Sequence, residues 1–390
     1  MTDLETLSAA DRMRLDDLDA RLSELNGTFI GYPCSGVFDY APLFRFLRFP
    51  FNNVGDPYVT SNYQLNTHQF EREVVEIFGR LAHAPDDSSW GYVTGGGTEG
   101  NMYGIFLGRE LHPEGVVYYS EDTHYSVNKI LRCLHVRNIM IKSETDGRID
   151  LEDLRETIRI HRDVPPILFV NVGTTVKGAV DDLPGIKKIL HDLAITQYYL
   201  HVDAALSGMI LPFVAHPQPW DFAAGAHSIS ISGHKMIGAP IPCGVVLAKK
   251  KNVERIARQI EYVGTLDTTI PGSRNAFAPL MLWYAFHTVG EAGIRRGVER
   301  CLEMADYAIA RFAGIGRKAW RHPNSVTVVF DRPSLGIVQK WQLAVQHGAA
   351  HIITMPHVTR DQIDRFVADL AADESPTTAA ELSPEGETIS

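Results

Sequence analysis

The chain of 390 residues carries 37 basic and 47 acidic side chains, a formal charge of −10, and is 45% hydrophobic and 22% charged. That balance excludes extensive disorder and a disulfide-stapled miniprotein, and with a pI near 5.9 it offers no footprint for nucleic acid or an anionic membrane. Cys34, Cys133, Cys243 and Cys301 lie far apart with no C-x-x-C pair, which argues against a zinc site or a disulfide framework and for reduced thiols. The start of the chain has no basic segment leading into an apolar one, and no apolar run approaches the ~18 residues of a membrane span, so a soluble cytoplasmic protein is expected.

In chain order, Met13, Leu15, Leu18, Leu22 and Leu25 recur at roughly helical spacing and predict an amphipathic helix over 9–25, stopped by Asn26-Gly27. Residues 31–63 are rich in Pro, Gly, Asn and aromatics, too apolar for a linker, and are expected to pack on a partner subunit. Asn66 with Gln69 resembles a capping box ahead of a helix whose buried face is Phe70, Val74, Ile77, Phe78 and Leu81. After Trp90, β-rich runs at 116–120, 167–172, 198–202, 228–232 and 244–248 alternate with helical stretches or loops, the pattern of a mostly parallel sheet covered on both faces. A polar loop at 267–274 breaks this pattern. Long helices and two further β-rich runs, 325–330 and 351–354, then suggest a smaller α+β domain, and 373–390 read as a disordered tail. The expected division is 1–65 for the first helix and dimer packing, 66–275 for a large ligand-binding domain, 276–372 for the small domain, and 373–390 for the tail.

Gly95-Gly96-Gly97-Thr98-Glu99-Gly100-Asn101 follows a β-like run and opens a helix marked by Met102, Ile105, Phe106 and Leu107. Free amides and the positive end of the helix dipole at that point suit a phosphate. Gly95, Gly97 and Gly100 also satisfy G-x-G-x-x-G, and Glu121 stands where a dinucleotide ribose wants an acid, so an NAD-binding Rossmann site competes, as does a purely structural glycine turn. Against the dinucleotide, the preceding strand is poor in Val and Ile, and the motif explains nothing downstream. Asn101 in place of lysine excludes a P-loop.

Downstream, a strand ends in Asp203 followed by two alanines, at the carboxyl end where open α/β sheets place ligands. A later β-like alternation ends in Ser232-Gly233-His234-Lys235, with Met236, Ile237, Ala239 and Ile241 beyond it; partial desolvation there favours the neutral amine. A single lysine is more often a solvated surface charge, but one ligand accounts for all three features. Pyridoxal phosphate needs an anion cradle, a carboxylate at its pyridine nitrogen and a lysine for its Schiff base. His124 is placed to stack on one face of the ring, with Ala205 allowing close approach on the other. Ser232 and His234 are candidate phosphate contacts, and Thr175 a contact to a ring substituent.

The runs 91–101, 122–126, 201–205 and 232–235 together resemble those of the group II pyridoxal-phosphate-dependent amino-acid decarboxylases, in the short branch that holds bacterial histidine decarboxylases and plant serine decarboxylases. The similarity spans about 31–365. It implies Lys235 as the Schiff-base lysine, Asp203 at the ring nitrogen, His124 on the ring face, and Thr98, Ser232 and His234 near the phosphate, with Gly97, Glu99 and Asn101 completing the cofactor site. It also implies the type I fold of aspartate aminotransferase, with a mostly parallel seven-stranded sheet and a smaller α+β domain, and a homodimer with shared active sites. The expected reaction is decarboxylation of an L-amino acid, L-histidine to histamine foremost and serine or a less polar amino acid as alternatives. An aminotransferase or carbon–sulfur lyase would use the same lysine and aspartate. Tyr262 is the candidate proton donor to Cα, with His124 or Lys235 able to replace it and a plain core aromatic as the competing reading. Tyr63, Asn66, Ser273, Arg274 and Phe277 are the candidate substrate pocket. Where related sequences continue Gly-Ser-Arg-Asn with Gly-His, this chain has Ala276-Phe277, a change that favours a less polar substrate if the loop borders the pocket.

Overall fold

The computed structural model describes residues 7–85, 88–261, 264–346 and 348–373. Its central sheet has seven strands, in the spatial order Ser89–Thr94, Gly244–Lys249, Ser228–Ser232, Tyr199–Asp203, Pro166–Asn171, Val116–Ser120 and Asn138–Ile141. Six share one direction; Gly244–Lys249 runs against both of its neighbours. Parallel strands need crossovers, and the helices that provide them cover both faces, so inner strands such as Pro166–Asn171 are buried along their whole length.

The two-residue period of a strand divides the core. Leu168, Val170, Leu200, Val202, Ile229 and Ile231 face one apolar cluster, with Val74, Phe78, Leu154 and Ile186 from covering helices. Ile167, Phe169 and Tyr199 face a second cluster with Tyr103, Ile105 and Leu107 of the helix Gly97–Leu111. His201, Asp203 and the alternate serines of Ser228–Ser232 share parity with this second face, so the polar residues of two central strands lie beneath the glycine-loop helix.

Edge positions explain the sequence's less obvious strands. Ser89–Thr94, poor in Val and Ile, is an edge strand whose Trp90 and Tyr92 pack on Tyr103 at 5.4 and 5.3 Å between ring centroids. Asn138–Ile141, absent from the sequence expectation, is the opposite edge; it is four residues long and largely exposed, too short to show a period.

The first helix, Ala9–Asn26, forms as expected, with the Ser8 hydroxyl accepting from the Asp11 amide, yet none of its residues is buried within the chain. The capping box expected from Asn66 and Gln69 does not form. The helix is His68–Leu81 with Thr67 at its N-cap; Thr67 donates its hydroxyl to the Ala276 carbonyl at 2.7 Å, and Gln69 bonds to Glu73. A long-range partner has taken the hydroxyl that a local cap would use.

A second sheet of four antiparallel strands, in the order Ala319–Trp320, Thr327–Asp331, Ala349–Ile353 and Ala344–Gln346, contains the expected runs near 325–330 and 351–354. The helix Phe277–Gly314 breaks at Gly290, where φ is 63°. Before the break Phe286 packs on Phe78; after it Phe312 packs on Phe330 and Phe366 of the small sheet and the helix Arg360–Ala371. Of the expected tail, 374–390 lie outside the described residues.

Candidate active site

The carboxyl ends of the central strands and the glycine loop converge on a cleft of about 570 Å³. It is lined by Gly97, Thr98, Glu99, Asn101, His124, Thr175, Asp203, Ala205, Ser232, His234 and Lys235. The cofactor-site candidates from the sequence therefore meet around one space, although they come from five separate parts of the chain.

At the floor, Asp203 ends its strand 9% exposed. Its Oδ2 accepts from Asn101 Nδ2 at 2.8 Å and its Oδ1 from the Ala205 amide at 3.0 Å, so a donor anchors each oxygen. Lys235 follows Ser228–Ser232, the strand beside that of Asp203. Burial pulls its ammonium below the ordinary lysine range, with Asp203 and then Cys34 offsetting part of that effect. The result is an amine more easily deprotonated than a surface lysine.

One wall is the start of Gly97–Leu111, whose first-turn amides have no partner inside the helix and carry its positive dipole end. Gly100 lets the helix lie this close to the sheet, because a Cβ there would overlap the Ser230 side chain. Ser232 is buried at the same end, and His234 holds Nδ1 2.8 Å from the Cys243 carbonyl oxygen, with burial pushing its pKa down. Glu99 is bound differently from a plain cofactor contact: its Oε2 accepts from the Gly95 amide at 2.7 Å and so closes the glycine turn.

His124 lies between Val116–Ser120 and the helix Ser126–Cys133. Ser126 donates its amide to His124 Nδ1 and holds its hydroxyl 2.8 Å from the same atom, which places the ring proton on Nε2. Burial lowers the His124 pKa, and Asp203 opposes that shift. An anion cradle at a helix start, a buried carboxylate and a desolvated lysine in one cleft fit pyridoxal phosphate group by group.

The five substrate-pocket candidates do not line this cleft. Tyr63 and Ser273 border a separate cavity of about 610 Å³ formed with Asn52, Asn62, Ile260 and Thr269. Asn66 donates to the Tyr63 carbonyl at 2.7 Å. Arg274 is buried in an ion pair with Glu71 at 2.9 Å, the two side chains 2% and 0% exposed. Phe277 is 7% exposed and packs on Phe51, while Ala276 is 2% exposed. In this chain the Ala276-Phe277 departure is therefore a helix-start packing feature. Tyr262 lies outside the described residues. Glu121, the ribose candidate of the dinucleotide reading, instead accepts from the Ser143 amide at 3.1 Å. Sequence reasoning missed His201, Ser228 and the Glu71–Arg274 pair. The first two were signalled by their strand parity with Asp203; the pair left no local signal.

Residues 52–330 match the family model described as the pyridoxal-dependent decarboxylase conserved domain. The chain belongs to this family. Its cofactor is pyridoxal phosphate, and the dinucleotide and aminotransferase readings fall away. Among curated proteins it is 49% identical to a histidine decarboxylase of Morganella morganii over 94% of this chain and 98% of that one. It is 48% identical to one of Pseudomonas entomophila (strain L48) over 95% and 93%. Among solved structures, L-methionine decarboxylase from Streptomyces sp.590 superposes with a TM-score of 0.85 at 27% identity, over 94% of this chain and 95% of that one. Glutamate decarboxylase of Lactobacillus brevis, with a TM-score of 0.77 at 18% identity, shares the fold. No helix among the described residues is long and apolar enough to cross a membrane.

Proposed function

We propose that this decarboxylase converts L-histidine to histamine and CO₂. The observation that carries the substrate assignment is the 48–49% identity to histidine decarboxylases along nearly the whole of both chains. A less polar amino acid is the second reading, favoured by the 0.85 superposition on a methionine decarboxylase, and it ranks lower because that identity is 27%.

Bound pyridoxal phosphate supplies an electron sink for the pair left on Cα when CO₂ departs. In our reading the chain's own residues act around it as follows. The first-turn amides after Gly96, with Thr98, Ser232 and His234, hold the phosphate. Asp203 holds a proton on the ring nitrogen as an anion anchored by two donors. His124 covers one ring face and Ala205 leaves room at the other, while Thr175 meets a ring substituent. Lys235 Nζ, lowered in pKa by burial, is the amine that would hold the cofactor covalently through a Schiff base, with the carbonyl oxygen leaving as water. Tyr262 would donate the proton that takes the place of CO₂ on Cα, and His124 or Lys235 would take that part if Tyr262 does not reach.

We further propose a cytoplasmic homodimer in which Tyr63, Asn66 and Ser273 belong to the partner-facing half of the substrate region, while Arg274 and Phe277, buried against Glu71 and Phe51, support that region from the core. The exposed Leu15, Leu18 and Leu22 of the first helix and the exposed Phe44, Leu47 and Phe49 support this assembly. Residues 1–65, 66–275, 276–372 and 373–390 remain our division into dimer segment, cofactor domain, small domain and tail. Screening the holoenzyme against the common amino acids for CO₂ release, with the amine identified by mass, tests the substrate. Histamine as the main product is expected, and a preferred aliphatic substrate overturns the assignment. Sedimentation that shows an active monomer overturns the dimer.

A further inference from the structure

Beneath the cleft, a chain of hydrogen bonds runs from Asp203 into the sheet and its direction is fixed link by link. Asp203, acting as a carboxylate, only accepts, so the amide nitrogen of Asn101 must face it, at 2.8 Å. The Asn101 oxygen is thereby turned to His201 Nε2, at 3.0 Å, and Nε2 must carry a proton to donate. His201 is fully buried, and burial alone holds its pKa down to about 3, so the ring is neutral and Nδ1 is an acceptor. The atom that meets Nδ1 is Ser228 Oγ at 2.7 Å, whose hydroxyl donates.

The fold builds this alignment from its register. His201 and Asp203 are two residues apart on one strand and so point to the same face, and Ser228 is the register partner of His201 on the next strand. Gly104 completes the arrangement, because a Cβ at that position would overlap the His201 ring. Along the helix Gly97–Leu111 the chain thus leaves a gap for an imidazole that is shut off from solvent and does not line the cleft.

We infer that Ser228, His201 and Asn101 are positioning residues whose oriented donors fix the Asp203 carboxylate in one rotamer with its remaining lone pairs turned to the cofactor ring nitrogen. This rests on the reading of Asp203 as the ring-nitrogen partner. A buried histidine serving only to fill space would need no particular tautomer, whereas this role demands the Nε2–H form. Loss of a donor in the series lets Asn101 rotate and present its oxygen to a carboxylate, which repels the anion that the ring nitrogen needs.

The test begins with the unaltered protein. In ¹⁵N-histidine-labelled apoenzyme and holoenzyme, one imidazole is expected in the Nε2–H tautomer without titrating between about pH 5.5 and about pH 8.5, and its signal vanishes in His201→Gln. An Nδ1–H tautomer or titration in that range overturns the inference. The affinity of apoenzyme for pyridoxal phosphate, read by fluorescence, is expected to fall about tenfold or more in His201→Leu, which keeps bulk without a donor. His201→Gln, which keeps an N–H near the Nε2 position, is expected to stay within about threefold of the parent. In turnover, His201→Leu lowers kcat with KM for the amino acid unchanged. If His201→Leu does not fold, Ser228→Ala is read instead: it removes the last donor, and a second tautomer of His201 appears in the spectrum. Parent-like affinity and kcat in a folded His201→Leu, or an unchanged tautomer in Ser228→Ala, overturns the inference. Asp203→Asn separates the two ideas: if it leaves affinity and kcat intact, the Asp203 reading itself is wrong. If it lowers them while His201→Leu does not, only the positioning role fails.

Discussion

Arg274 offers a direct contest between a place in the substrate pocket and a place in the core. Its guanidinium pairs with Glu71 at 2.9 Å and donates to the Gly55 carbonyl at 2.6 Å and to Thr269 Oγ1 at 3.3 Å. In Arg274→Met all three bonds are lost. Glu71 keeps its bonds from Asn53 Nδ2 at 2.7 Å and the Val93 amide at 2.9 Å, but it becomes a buried carboxylate without a counter-charge. Removing one partner of a buried pair costs about 3–5 kcal/mol, most of it the stranded charge. Thermal unfolding of the variant should fall by about 5 °C or more. Neutralising the stranded group with Glu71→Gln should return part of the loss, so that the double variant is at least ~1 kcal/mol more stable than the sum of the two singles. A pocket role predicts the reverse pattern, with stability unchanged and KM raised. A folded Arg274→Met with parental unfolding temperature and a selectively raised KM would refute the structural argument.

Borohydride reduction of the holoenzyme followed by peptide mapping should place the pyridoxyl group on Lys235, and a label on any other lysine removes it from its assigned role. Asp203→Asn should fold and lower kcat by roughly two orders of magnitude or more, because the ring nitrogen loses the anion that keeps it protonated; near-normal turnover counts against the assignment. Replacing Ala276→Gly and Phe277→His together should cost about 2–4 kcal/mol, since an imidazole would stand at a site 7% exposed against Phe51, and should leave the amino-acid preference order unchanged; a changed order in competition assays would put this loop back at the substrate. For pH, His201 and His227 are held at about 3 by burial, against an unfolded value of 6.5, so between those limits the unfolded chain binds more protons and stability falls as pH drops. Asp181, raised to about 6 by burial from 3.8, works in the opposite sense between those values, one group against two; an apoenzyme melting temperature that stays flat or rises on acidification from about pH 7 to about pH 4.5 contradicts the balance.

The half of the site proposed to hold the cofactor was legible because each part sits where a local signal is strongest. Asp203 ends one central strand and Lys235 follows its neighbour, and a strand's end in an open α/β sheet is a place for ligands whatever the rest of the chain does. The glycine loop announces itself by a composition that only a tight turn or a close approach requires. His201 carried a signal too, since it shares parity with Asp203, but a histidine inside a buried strand reads first as core. The substrate side was not legible. Arg274 and Glu71 are 203 residues apart and meet only through the fold. Loop composition at 267–274 records polarity and turns but not which cavity the loop borders. Thr67 shows the same limit on a smaller scale, because nothing near it in sequence reveals that Ala276 will take its hydroxyl.

The reversed strand of the central sheet has a consequence for the lysine. After Ser228–Ser232 the chain could have crossed over to continue the parallel order, which would carry the next residues away over a helix. Instead Gly244–Lys249 returns alongside, and the Gly233 amide donates to the Cys243 carbonyl at 2.8 Å, closing the intervening loop at its base. The same carbonyl faces His234 Nδ1 at 2.8 Å, and the Ala239 amide donates back to the Gly233 carbonyl at 3.2 Å. Lys235 is thus held inside a short closed loop of largely buried residues, Met236, Ile237 and Ala239 among them, within reach of the field of Asp203. An antiparallel return lets one turn both bury the amine and fix it beside the carboxylate, and a crossover connection would separate those two requirements.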